Sequence, residues 1–206
     1  MNKIKFFLYL ILSVFILFYL ITTTYSFSKI YFSFKQENHL NLKNFIDKKK
    51  ISTSFREQLN TIIYEKIEKE TLLKIIYNLD KKSFDILISA NINKLSDHLS
   101  GEKTLISLYK NPSLIKEQIN NLKLDKVQKW DNTALSVNTN ANSILEKNKF
   151  KLMGPNIKEL YKDTNYFFLT SLNTFKLDFI HKNINIIIKL NLDKMIWKIV
   201  SVEIKY

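Results

Sequence analysis

Cysteine is absent from the 206 residues, and glycine and proline occur only twice each. Without cysteine the chain has no disulfide, no thiolate metal ligand, no thiol nucleophile and no cysteine to carry a lipid. With Gly101 and Gly154 alone, it has no glycine-rich loop to cradle a phosphate. Histidine is also scarce. His39, His98 and His181 lie 59 and 83 residues apart, without HExxH spacing or a pair on one helix face, so each reads as a surface or loop histidine. No serine sits in GxSxG, and Ser-x-x-Lys at residues 113–116 is a match expected by chance in a chain so rich in both types. The sequence therefore assigns no catalytic residue, no metal ligand and no cofactor.

What the chain does have is basic charge and one long apolar run. Lysine and arginine total 32 against 19 acidic residues, a formal net charge of +13. The lysines are spread from Lys43 to Lys205, with one denser cluster at Lys48, Lys49 and Lys50. That spread reads as a solvated face, with contact to anionic lipid as an alternative and nucleic-acid binding not expected.

Residues 6–21, FFLYLILSVFILFYLI, contain Ser13 as the only residue that is neither apolar nor aromatic. Sixteen residues is short for a span. Thr22 to Thr24 can bond back to helix carbonyls, however, and Tyr25 and Phe27 suit an interface, so about 20 residues from Phe6 can be helical in lipid. Lys3 and Lys5 ahead of the run favour a cytoplasmic N-terminus, which exports the remainder. A cleaved signal peptide is the rival; Thr22/Thr24 and Ser26/Ser28 fit a small-residue cleavage pattern weakly, and the run exceeds the usual signal core. The expected organisation is residues 1–27 as membrane anchor or signal segment and residues 28–206 as one exported α+β domain. Removing residues 1–24 leaves 182, enough for one real core.

Two short helical pieces are expected between Ser28 and Asp47, the first prolonging or following the apolar helix. From Ser52 to Leu79, Phe55, Leu59, Ile62, Ile63 and Ile67 line one helical face, with Ser52, Thr53 or Ser54 as cap and Glu65–Lys69 as an i,i+4 pair. A phase slip after Glu70 marks either a bend or the meeting of two helices. A further helix is predicted over 82–99, ended by Ser100-Gly101 with Gly101 as a left-handed terminal residue. Asn111-Pro112 reads as cap and first position of a short helix through Leu114, Ile115, Ile119 and Leu122. Residues 131–143 read as a polar loop or a weak edge strand around Leu135 and Val137, followed by a turn at Gly154-Pro155 and a last helical turn at Ile157 and Leu160.

From Asn165 the period becomes two. Strands are predicted at residues 166–172, at Phe175, Leu177 and Phe179, at Ile184 to Leu190, and at Val200, Val202 and Ile204 with Trp197 and Ile199 on the reverse side. Lys182-Asn183 suits a two-residue hairpin, and residues 191–195 a slightly longer turn. The fold class is α+β: an N-terminal transmembrane helix, then a helical layer packed on a C-terminal antiparallel β-meander of about four strands.

The order of an N-terminal hydrophobic segment, then YFSFKQENHLNLKNFID, STSFREQLN, YFFLTSLNTFKLDF and a closing WKIVSVEI resembles a bacterial family known as domain of unknown function 2939. In that family a short helix ends in a hydrophobic-Asp pair, matched by Ile46-Asp47; a helix then begins at an arginine, matched by Phe55-Arg56. The Ser-Leu that follows in the family is replaced here by Glu57-Gln58-Leu59. A Trp-Lys-Leu-like segment in its last strand is matched by Trp197-Lys198-Ile199. The resemblance covers about residues 26–206, weakest through 133–149, and implies a membrane-tethered or secreted domain without supplying catalytic residues.

The expected function is a non-enzymatic, membrane-anchored envelope domain that binds a protein partner or a small apolar ligand at the periplasmic side of a bacterial inner membrane. Its first partner is the bilayer, through residues 6–24; another envelope protein or anionic lipid comes next. The alternatives are a hydrolase-like enzyme whose site assembles only in three dimensions, and a peripheral anionic-lipid binder. The residues singled out are Asp47 and Arg56, as a structural ion pair joining the membrane-proximal hook to the next helix, and Trp130 and Trp197, as core packing or as the edge of a pocket.

Overall fold

The computed structural model describes residues 3–120 and 157–205. Its first helix, α1 (Lys3–Lys35), is continuous for 33 residues. The stretch Ile4–Lys35 is long and apolar enough to cross a membrane by length and composition, with a mean hydropathy of 2.5 in its most apolar window, none of which is buried in the protein. The segment around Ile30, Tyr31 and Phe34 therefore prolongs α1, and residue 27, the expected domain boundary, falls inside the helix. Thr22, Thr23 and Thr24 bond back to the carbonyls of Tyr19, Tyr19 and Leu20, as their spacing implies.

Glu37, in the left-handed region at φ 57, turns the chain out of α1 into the second short piece, α2 (His39–Leu42) and a 3-10 turn (Lys43–Phe45). Helix α3 (Lys48–Lys69) starts earlier than the serines implied, because the Asp47 carboxylate accepts from the Lys50 amide at 3.2 Å and caps it. Ser52 and Ser54 make tertiary bonds instead. The buried stripe Ile51, Phe55, Leu59, Ile63 and Ile67 faces α5 (Lys81–Leu99), which contributes Phe84, Ile88, Ile92, Leu95 and Leu99. Glu65 and Lys69 are paired at 3.7 Å. The phase slip at Glu70 is a break: Glu70 is extended, and α4 (Thr71–Leu79) is a separate helix.

Gly101 is not left-handed. At φ −70 and ψ 144 it is the extended residue before α6 (Glu102–Lys110), a helix that the sequence reading passed over. A β-carbon there would sit 3.2 Å from the His98 carbonyl oxygen, so its small size permits the close approach of two helix ends. Helix α7 (Leu114–Asn120) begins two residues after Pro112, where Ser113 Oγ donates to Asn111 Oδ1 at 2.8 Å. Helix α8 (Ile157–Lys162) leads into the sheet. The expected loop or strand at 131–143, the turn at Gly154-Pro155 and Trp130 lie outside the described residues.

Strands β1 (Thr164–Ser171), β2 (Thr174–His181), β3 (Ile184–Asp193) and β4 (Ile196–Lys205) form an antiparallel meander in the order β1-β2-β3-β4. Lys182 and Asn183 (φ 51 and 62), and likewise Lys194 and Met195 (φ 48 and 67), make two-residue turns of the mirror-image type that matches strand twist; the second turn is thus shorter than expected. Strict alternation fails in β4. Lys189 pairs with Ser201 but Leu190 with Ile199, leaving Val200 as the extra residue of a β-bulge. The bulge changes the phase, so Trp197 and Ile199 share the helix-covered face with Val202 and Ile204, all four buried, rather than lying on the reverse side. Phe175, Phe179, Ile184, Ile186 and Leu190 complete that face. The opposite face carries polar residues such as Lys176, Asp178, Lys189 and Glu203, ion-paired as Lys176–Asp178 and Lys189–Glu203.

Candidate functional site

The C-terminal half of α1 belongs to the domain core. Residues 19, 23, 26, 30 and 34 recur every three or four positions and so share one helical face, which lies against the sheet. Trp197, 0% exposed, is the centre of that contact. Its indole Nε1 donates to Thr23 Oγ1 at 3.0 Å, its backbone amide donates to Ser26 Oγ at 3.1 Å, and its ring meets Tyr19 edge-on at 5.8 Å. Trp197 therefore seals the seam between α1 and the sheet, and it lines neither of the two cavities found among the described residues. Phe27 extends the seam across the sheet, meeting the rings of Phe175 and Phe167 edge-on at 4.7 Å and 5.6 Å.

The two edges of the sheet are treated differently. Along β4, Trp197 N–H is taken by Ser26, Ile199 C=O accepts from Asp47 N–H at 2.8 Å, and Gln58 serves two groups. Its side-chain Nε2 donates to Val202 C=O at 2.7 Å and its Oε1 accepts from Ile204 N–H at 3.0 Å. One amide side chain thus pairs with the strand as a neighbouring peptide would, and Ser54 Oγ bonds Ser201 Oγ at 2.8 Å beside it. That edge is closed.

Strand β1 is open. Among the described residues, none pairs with the free side of β1 between Asn165 and Ser171. Three successive aromatic side chains are exposed on its two faces: Phe167 beside α1, and Tyr166 and Phe168 on the polar face, where Phe168 is 63% exposed. Lys176 Nζ lies over the Tyr166 ring at 5.3 Å. A bare apolar edge is a template for another strand, which soluble domains usually block with charge, proline or a covering helix.

Two cavities bear on the other readings. An apolar void of about 30 Å³, lined by Phe34, Leu105, Tyr109, Phe179 and Val202 among others, is too small for an organic ligand. An open groove of about 540 Å³ runs between the start of α3 and the polar sheet face, past Lys49, Ser54, Glu57, Lys189, Ser201 and Glu203. In it the two serine hydroxyls bond each other, and Lys189 is held by Glu203 at 2.6 Å. The groove thus contains two self-satisfied pairs, not a nucleophile bonded to a base that is itself oriented.

Asp47 and Arg56 are not brought together. Asp47 caps α3 and approaches Lys50 Nζ at 3.5 Å, whereas Arg56 is exposed with no ion pair among the described residues. Trp130 lies outside the described residues. His39 and His98 are exposed, but His181, at the end of β2, is half-buried with Nε2 lacking a hydrogen-bond partner among the described residues; burial first and Lys182 second push its pKa down. No group of three or more potential ligands that could hold a metal occurs among the described residues. Sequence reasoning missed Gln58, Tyr19 and the β1 edge. The exposed run Tyr166-Phe167-Phe168 is the one signal that marked it, since a strand with a solvated face does not usually place three aromatics in succession.

Comparison with protein-family models, with curated proteins and with solved structures finds no match.

Proposed function

We propose that this chain is a single-pass, membrane-anchored envelope domain without enzymatic activity, which binds a protein partner by strand addition at the free edge of β1. The observation that carries the reading is the asymmetry of the sheet. Ser26, Asp47 and Gln58 close the β4 edge with four hydrogen bonds, while among the described residues the outer side of β1 keeps its backbone groups unpaired beside the exposed rings of Tyr166, Phe167 and Phe168. Main-chain pairing supplies affinity in such a mode, and pockets for alternate side chains supply specificity.

The anchor is retained in this reading. Cleavage after Thr24 removes Tyr19 and Thr23, and cleavage after Ser28 also removes Ser26 and Phe27, so either cut strips bonding partners from a buried tryptophan. Lys3 and Lys5 keep the N-terminus in the cytoplasm, which sets the domain on the periplasmic side. The resemblance to domain of unknown function 2939 belongs to the same proposal, with the bacterial inner membrane as its setting.

Hydrogen exchange tests the partner mode. In native membranes the amides of residues 166–170 exchange more slowly than in the purified, detergent-solubilised chain, and Phe168→Lys abolishes the difference. Equal rates in the two preparations remove strand addition.

A further inference from the structure

The geometry points to a second membrane contact: the two sheet turns beside Tyr19, Leu172-Asn173 and Lys194-Met195, insert into the lipid interface alongside α1. This rests on the anchor reading and concerns where the bilayer meets the domain. The apolar run 6–21 rises about 24 Å at 1.5 Å per residue, less than the hydrocarbon thickness of about 30 Å. Contact with the sheet already begins at Tyr19, which is half-buried, whereas Leu20 and Ile21 on the outer side of α1 remain exposed. A bilayer that covers Ile21 therefore meets the end of the sheet.

That end is built for it. Tyr19 Oη donates to the Leu172 carbonyl at 3.0 Å, so helix rather than water satisfies a turn carbonyl. Helical side chains tilt toward the N-terminus, which sets Leu172 deeper along α1 than the Tyr19 backbone. Leu172 is 88% exposed and Met195 59%. Met195 also holds φ 67 in a turn that favours asparagine and glycine, an unfavourable place for an apolar side chain unless the position serves something else. Lys194 beside it makes no ion pair among the described residues and suits the headgroup layer. The turn at the opposite end of the sheet, Lys182-Asn183, is wholly polar. Both turns near α1 carry an apolar residue and the far turn carries none.

The absence of native cysteine makes the test direct. The full chain is reconstituted in phosphatidylcholine nanodiscs with one nitroxide on Leu172→Cys, Met195→Cys, Asn183→Cys or Phe15→Cys. Collision rates are then measured with oxygen, which partitions into lipid, and with a water-soluble nickel chelate. The expected oxygen-to-nickel ratio at 172 and 195 is several-fold above that at 183 and approaches that at 15. A ratio at 172 and 195 equal to that at 183 overturns the proposal while leaving the anchor intact. Low collision with both reagents overturns it as well, because protein then covers the turns. A water-exposed label at 15 removes the anchor and this inference with it.

Discussion

Replacing Gln58 by leucine tests whether one side chain closes the β4 edge. The substitution keeps the size and the α-helical propensity of the residue but deletes the side-chain amide's hydrogen bonds, among them those to β4, at Val202 C=O (2.7 Å) and Ile204 N–H (3.0 Å). Each orphaned, partly buried backbone group costs about 1–3 kcal/mol. Because Gln58 itself is half-buried, water recovers part of the loss, and the pair is worth roughly 2–4 kcal/mol. At about 2–4 °C per kcal/mol for a domain of this size, the full chain in detergent micelles melts roughly 5–15 °C lower, read from near-ultraviolet circular dichroism. Gln58→Glu adds a second, independent arm. The carboxylate still accepts from Ile204 N–H but faces the Val202 carbonyl without a proton; protonation below about pH 4 restores the donor, so the deficit shrinks in acid. Glu57→Gln, one residue away and exposed, changes stability by about 0.5 kcal/mol or less. A melting temperature for Gln58→Leu within about 2 °C of the parent, with the Glu57→Gln control intact, refutes the edge-closing role.

Other outcomes follow from the same contacts. Trp197→Ala empties the seam between α1 and β4 and destabilises by about 3–5 kcal/mol, enough that little folded chain is recovered from membranes; normal yield and melting contradict its central place. Ser26→Ala leaves the buried Trp197 amide without its acceptor and lowers stability by about 1–3 kcal/mol in denaturant titration, whereas Ser28→Ala, on the exposed side of α1, is neutral. His181 has a pKa lowered from 6.5 by burial and by Lys182, so its contribution is complete above about pH 6.5 and is lost as pH falls through the folded value; His181→Gln flattens that acid limb, and identical limbs in both chains remove the linkage. Tyr64, donating to Asp85 at 2.7 Å, has its pKa pushed up to about 12 by burial and then by Asp85. Stability tied to it is present below pH 10 and lost toward pH 12, and Tyr64→Phe makes that loss shallower in alkaline melts.

Helix and strand order were legible in the sequence because period dominates both. The 4-residue recurrence from Phe55 to Ile67 and the alternation from Phe175 to Phe179 are burial patterns that hold wherever the core lies. Asn183 supplied its turn through a residue tolerant of positive φ. What escaped was information carried by tertiary bonds. Ser52 and Ser54 look like caps, yet Asp47 takes that role because Ile199 fixes its backbone amide, and the two serines bond Asp97 and Ser201. The bulge at Val200 inverts the inward set of β4 without any glycine or proline to announce it. Core packing and a pocket edge both stayed open for Trp197 because its cover comes from α1, more than 170 positions earlier in the chain. The open edge was hidden for a similar reason: an exposed aromatic and a buried one have the same letter. The expected pair of Asp47 with Arg56 rested on proximity along the chain, and α3 carries Arg56 round to solvent.

Everything about location depends on α1 remaining one piece with the sheet, from the lipid to the core. Cell fractionation followed by intact-mass measurement tests this most directly. The account predicts that the membrane fraction holds the chain with the α1 residues ahead of Ser28 still attached to the domain. A soluble species beginning between residues 25 and 29 contradicts it.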